Sequence, residues 1–195
     1  MTDPATRPLV LASTSPYRAE LLGRLGLPFS QVAPDVDEAP QPEEAPADLA
    51  RRLGAAKARV VAATAGDSVV IGSDQVAVID GKPVGKPGDD ATACAQLRAA
   101  SGRDVSFLTA VTVCAPDQAL HYLDVTRVAF RHLGDDEIRR YVAAEQPLNC
   151  AGSFKAEGLG IALFEQIEAR DPTGLIGLPL IWLADALRRC GYRLP

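Results

Sequence analysis

The feature that most constrains this chain is a pair of strand-like runs joined at residue 116. Val105, Phe107, Thr109, Val111 and Val113 occupy alternate positions, the pattern of a half-buried strand. Pro116-Asp117 then turns the chain into a second run over 119–130. So short a turn makes an antiparallel pair, because a parallel return needs a crossover of about a dozen residues. Upstream, strands and helices alternate instead. Residues 9–12 read as a strand, and Ser15-Pro16 as an N-cap with proline at the first helical position. Leu21, Leu22 and Leu25 form one face of that helix before Gly26 stops it. A second strand is expected over 29–33, and a helix through Leu49, Leu53, Ala56 and Val60 to near Gly66. The strongest strand pattern is 69–79, closed by an Asp80-Gly81 turn. Alternation that runs into a hairpin predicts an α/β or α+β chain with a mixed sheet rather than a doubly wound one.

The remainder fits the same plan. Residues 35–46 are acidic and proline-rich, a loop between periodic segments. A helix follows Asp89 or Asp90 and stops at Gly102; another spans 135–144 with Ile138, Tyr141 and Val142 inward. A strand is expected over 161–167, and Pro179 opens a last amphipathic helix through Leu180, Leu183, Ala184 and Leu187. At 195 residues, residues 1–195 are expected to form a single domain.

Composition excludes several classes. A net charge of −5 argues against nucleic acid as a stable partner. The longest apolar stretch is 175–184, interrupted by Gly177 and Pro179; a membrane span needs about 20 residues. Too few apolar residues follow the N-terminus for an export signal, so the expected location is cytoplasmic. Cys94, Cys114, Cys150 and Cys190 are widely spaced, without a CxxC pair, and read as reduced and mostly buried thiols. His121 and His132 read as surface or structural residues. The segment 81–87 is one residue short of a phosphate-binding glycine loop and has Pro87 where Ser or Thr would hold magnesium.

A few residues stand out chemically. Ser13-Thr14-Ser15-Pro16 enters a helix, where backbone N–H groups and the dipole favour phosphate. Arg18 on the first turn adds a fork for the same anion. Asp74 shares a strand face with Val70, Gly72, Val76 and Val78. A carboxylate there costs several kcal/mol, roughly, unless a cation compensates it. Gly72 beside it is expected to leave room for a ligand. There are only four lysines against sixteen arginines, so Lys57, Lys86 and Lys155 invite a local reason; as compact charges they suit a polyphosphate. Lys82 reads as a surface residue.

These residues, in order, resemble the Maf family of nucleoside triphosphate pyrophosphatases. The resemblance is carried by 11–18 (Leu-Ala-Ser-Thr-Ser-Pro-Tyr-Arg), Asp37-Glu38, Lys57, Ile71-Gly72-Ser73-Asp74-Gln75 and Gly85-Lys86-Pro87. It is closer to the branch acting on 7-methyl-GTP, through 130–133 (Phe-Arg-His-Leu), 150–155 (Cys-Ala-Gly-Ser-Phe-Lys) and Arg170-Asp171-Pro172. It implies a mixed, elongated sheet with flanking helices and two lobes around a cleft, similar to the inosine triphosphate pyrophosphatases. It also implies a divalent metal cation (magnesium, manganese or cobalt) and a homodimer.

By the resemblance, Asp74 is the catalytic carboxylate, with Lys86, Arg18 and Lys57 catalytic beside it. Ser13 and Lys155 join them on the substrate, Asp74 and Glu38 hold the metal, and Tyr17, Gln75 and Glu157 tune base choice. The expected reaction converts 7-methyl-GTP to its monophosphate and pyrophosphate. The alternatives are dTTP, UTP or a broader set of nucleotides, or a nucleotide-binding regulator of septum formation. The branch assignment agrees with the chemistry: N7-methylation makes guanine a cation, which a tyrosine face attracts and Glu157 attracts further.

Overall fold

The computed structural model describes residues 7–195; residues 1–6, part of the stretch read for an export signal, lie outside the described residues. The strands are β1 (Leu9–Ala12), β2 (Ser30–Gln31), β3 (Val69–Ile79), β4 (Lys82–Val84), β5 (Asp104–Ala115), β6 (Gln118–Phe130) and β7 (Phe164–Glu168). The helices are α1 (Pro16–Gly23), α2 (Pro46–Ala62), α3 (Asp90–Ala100), α4 (Asp135–Glu145) and α5 (Leu180–Arg189). One mixed sheet runs β2-β1-β3-β5-β6-β7, with β4 folded onto β3. β1 is parallel to β2 and β3, whereas β3, β5, β6 and β7 pair antiparallel in succession.

The register creates a gap. β5 lines one edge of β3 from Val70 to Ile79. On the other edge, β1 pairs with Val69 to Gly72 and β4 with Ala77 to Ile79. Among the described residues, no strand pairs with 73–76 on that edge. The site residues of β3 therefore border an opening rather than another strand.

Side-chain alternation builds a core on either side of the gap. The odd-numbered face of β3 sends Val69 and Ile71 into a core with Leu21 and Leu22 of α1 and Leu183 and Leu187 of α5. Ala77 and Ile79 enter a second core with Leu97 of α3 and Ile138 and Val142 of α4. These two cores make the two lobes, and the long strands β3 and β5 run through both. The even-numbered face packs under α2, with Val70 against Val61 and Val76 against Leu49 and Leu53. Burial of each such aliphatic side chain contributes about 1.5–3 kcal/mol.

Several expectations need correction. Gly72 leaves no space for a ligand, because a Cβ there would lie 2.4 Å from the Ala58 amide nitrogen and 2.5 Å from the Gly54 carbonyl oxygen. The glycine lets α2 press onto β3. β5 is half-buried only in its first part; from Thr109 to Val113 both faces are covered, since α2 packs on the second face. The strand expected over 29–33 narrows to Ser30–Gln31, which pairs only with Val10 and Leu11 of β1. The strand expected from 161 begins at Phe164, because residues 159–163 form a 3-10 turn whose first amide is held by Glu145. Only Cys190 of the four thiols is buried; Cys94, Cys114 and Cys150 are half-buried. Among the described residues, no helix is long and apolar enough to cross a membrane.

Candidate active site

A cleft of about 750 Å³ opens at the gap in β3. Ser13 through Arg18 line it from the β1–α1 turn, Glu38 from the acidic loop, Lys57 from α2, and Asp74, Gln75 and Val76 from β3. Lys86 enters from the segment after β4, and Cys150, Phe154 and Glu157 from the far lobe. The carboxyl end of β1, whose parallel neighbours β2 and β3 lie on opposite sides of it, is where an open α/β sheet exposes a ligand crevice.

At one end, Lys57 organises the charge. Its ammonium lies 2.7 Å from Asp74 Oδ1 and 2.6 Å from Glu38 Oε1. Lys57 and Asp74 are buried, and Glu38 is half-exposed. Burial raises the Asp74 carboxyl above its ordinary value, against the lowering charges of Lys57 and Arg18. For Glu38, burial pushes upward too, but the Lys57 hydrogen bond and the charges of Lys57, Lys86 and Arg18 prevail and lower it. Burial lowers the Arg18 guanidinium, against the charges of Asp74 and Glu38. Burial thus prevails over the neighbouring cations and raises the proton affinity of Asp74, as suits a base.

The loop that carries Glu38 is strapped to α2. Arg52 grips Glu44 with two bonds, Nε to Oε1 at 2.6 Å and Nη2 to Oε2 at 2.8 Å, and donates to the Ala39 carbonyl at 2.9 Å. Arg52 and Glu44 were outside the sequence expectations; the only signal was an acidic loop preceding a helix that carries arginine five residues before Lys57.

The β1–α1 turn is well ordered by its own hydroxyls. Ser13 is buried, its Oγ accepts the Ser15 N–H at 3.1 Å, and Ser15 Oγ accepts the Arg18 N–H. Arg18 Nε donates to the Gly177 carbonyl at 3.0 Å, so part of its fork is committed to the chain itself. Lys86 is exposed on the cleft wall.

The cleft floor is the 3-10 turn Gly174–Ile176 with Gly177. Gln75 Nε2 donates to the carbonyls of Gly174 and Leu175 at 3.1 and 3.0 Å, Thr109 Oγ1 to Gly174 at 2.9 Å, and Ser73 Oγ to Gly177 at 3.0 Å. Gln75, Thr109 and Asp124 are cross-strand neighbours on one face, so three strands present polar groups to this turn. Gln75, expected to tune base choice, spends its amide nitrogen on the floor. Backbone carbonyls leave no mark in a sequence, so this anchoring was not legible.

At the other end, Tyr17 and Glu157, which are 140 residues apart in sequence, line the same cleft. Burial raises the Tyr17 hydroxyl, and Cys150 and Glu157 raise it further, while Lys155 lowers it. Burial also pushes the Cys150 thiol up, with Glu157 adding to it, so it is a thiol rather than a reactive thiolate. Lys155 does not itself line the cleft. Its ammonium donates to the Glu145 carbonyl at 2.8 Å and lies 3.3 Å from Glu145 Oε1. Desolvation pulls Lys155 down, but Glu145, Tyr17 and Cys150 outweigh it and raise the ammonium.

Oxygen donors from two carboxylates converging on one point suit a hard divalent cation. Glu38 and Asp74 meet that description, both reaching the Lys57 ammonium. Among the described residues, no group of three or more His, Cys, Asp or Glu side chains is placed to hold a metal, so phosphate oxygens would have to complete such a shell.

Comparison with known proteins identifies the family. A 7-methyl-GTP pyrophosphatase of Xanthomonas oryzae pv. oryzae is 57% identical over 187 residues, 96% of this chain and 98% of that protein. One from a Polaromonas species is 55% identical over 193 residues, covering 98% and 88%. A solved HAM1 protein from Coxiella burnetii shares the fold, with a TM-score of 0.55 at 19% identity, over 94% of this chain and 100% of that one. The family model described as a Maf-like protein matches residues 8–190. The chain belongs to the Maf family.

Proposed function

We propose that this cleft hydrolyses a nucleoside triphosphate between the α and β phosphates, with 7-methyl-GTP preferred, giving 7-methyl-GMP and pyrophosphate. The observation that carries the reading is one cleft with two chemically distinct ends: the Glu38–Lys57–Asp74 cluster at one, Tyr17 and Glu157 at the other. The names of the relatives, at 55–57% identity over nearly the whole chain, support the same substrate.

Phosphoryl chemistry of this kind needs positioning and charge neutralisation more than covalent help. Ser13, the α1 N-terminus, Arg18 and Lys86 grip the phosphates, and Lys57 turns from its carboxylates toward them. Asp74, with its affinity for a proton raised by burial, orients the attacking water and accepts its proton. Tyr17 offers its ring face to the cationic base, Glu157 supplies the opposite charge, and Gln75 acts by fixing the floor beneath them. Glu38 and Asp74 would hold a divalent cation (magnesium, manganese or cobalt), which when bound neutralises phosphate charge and acidifies water.

The same reading includes a homodimer in the cytoplasm, acting on free nucleotides without nucleic acid, and residues 1–195 as a single domain. Sedimentation tests the dimer, and a single cooperative unfolding transition tests the domain. The activity is tested by pyrophosphate release from 7-methyl-GTP, GTP, UTP and dTTP. Preference for 7-methyl-GTP is expected. Preference for UTP or dTTP would keep the enzyme and overturn its specificity; binding without release would favour a regulator.

A further inference from the structure

Glu145, the last residue of α4, lies outside the cleft yet holds the loop that carries its base end, through Lys155 and Leu159. Its side chain is only 15% exposed. Oε2 accepts the Leu159 N–H at 2.7 Å, and Oε1 lies 3.3 Å from the Lys155 ammonium. The Glu145 carbonyl, at the C-terminal end of α4 where a helix favours cations, accepts the same ammonium at 2.8 Å. The carboxylate fills the space beneath the loop, since a Cβ on Gly158 would fall 2.6 Å from Oε2. A second tie from α4, the Lys155 N–H to Tyr141 Oη at 3.0 Å, fixes the same segment. Glu157 follows two residues later and faces the cleft beside Tyr17.

Three charges therefore share one short loop and its support: Glu145 negative, Lys155 positive, Glu157 negative. An unopposed Lys155 next to Tyr17 would cancel Glu157 and repel a cationic ring. We propose that Glu145 is a positioning residue for base selection, anchoring and neutralising Lys155 so that Glu157 presents a net negative charge to a methylated, positively charged base. The inference rests on the substrate reading above and deepens it.

Glu145→Gln tests it, because glutamine keeps the size and an acceptor for Leu159 while removing the charge. The readout is the ratio of kcat/KM for 7-methyl-GTP to that for GTP. The ratio is expected to fall about tenfold, the scale of one charge acting across a partly solvated cleft, with the change mainly in KM. Adding Lys155→Met to Glu145→Gln restores the net charge, and the ratio is expected to return to within about twofold of wild type, a coupling that distant structural damage does not give. A ratio unchanged in Glu145→Gln, or a loss shared by both nucleotides and not recovered in the double variant, overturns the inference alone. A wild-type chain that treats both rings alike overturns the substrate reading and this inference together.

Discussion

The Lys57 ammonium on α2 lies 2.7 Å from Asp74 Oδ1 on β3, in the stretch of β3 that neither β1 nor β4 covers. The pair is buried, and its setting raises Asp74 above the ordinary carboxylate value. Asp74→Asn keeps the shape and removes the base. Turnover is expected to fall at least about 100-fold, the usual scale of lost general-base catalysis, with the far-UV circular dichroism unchanged.

The pH profile follows from the same pair. Asp74 must be ionised to act, so activity rises with pH through its pKa, and burial places that limb above the ordinary ~3.9. Lys57 pulls the pKa down; removing its charge leaves burial less opposed. In Lys57→Met the residual activity is therefore expected to show its acid limb at higher pH than wild type. A limb that moves to lower pH contradicts the assignment.

Gly72 sets the distance between α2 and β3. In Gly72→Ala the new Cβ meets the backbone at Ala58 and Gly54, neither of which is a flexible side-chain tip. Denaturant unfolding is expected to show a loss of about 3 kcal/mol, at the upper end for overpacking. Activity should fall with it, since Lys57 immediately precedes Ala58.

The Arg52–Glu44 strap supports Glu38 from behind. The Arg52 hydrogen bond, then the Gln41 N–H, depress the Glu44 carboxyl to about 2. A depressed carboxyl stabilises above its unfolded pKa, about 4.3, and that contribution is lost as pH falls through about 2. The strap is thus fully formed throughout the neutral range. If Glu38 holds the cation as proposed, Arg52→Leu is expected to raise the magnesium concentration needed for half-maximal activity about tenfold, the scale of losing support behind a ligand. Titration of activity with magnesium checks it; an unchanged requirement contradicts the role given to Glu38.

How much of this the sequence carried depended on what kind of group did the work. Asp74 was legible because a carboxylate at a period-two apolar position contradicts its neighbours. Ser15-Pro16 announced the start of α1 by chemistry that any such helix entry uses. β4 was missed because Pro83 disguises a three-residue edge strand. Gly72 signalled a close backbone approach but not whether helix or ligand makes it. Tyr17 and Glu157 came together only through the family resemblance. The floor at 174–177 and the Glu145 support were invisible, one because backbone carbonyls hold it, the other because a glutamate at a helix end usually faces solvent.

The most direct test compares kcat/KM for 7-methyl-GTP and GTP in wild type and Asp74→Asn, with magnesium and with chelator, following pyrophosphate. A marked wild-type preference for 7-methyl-GTP is expected, with pyrophosphate and monophosphate as the products and loss of release in both the variant and the chelated enzyme. Release of single phosphate groups, or Asp74→Asn turnover near wild type, would contradict it.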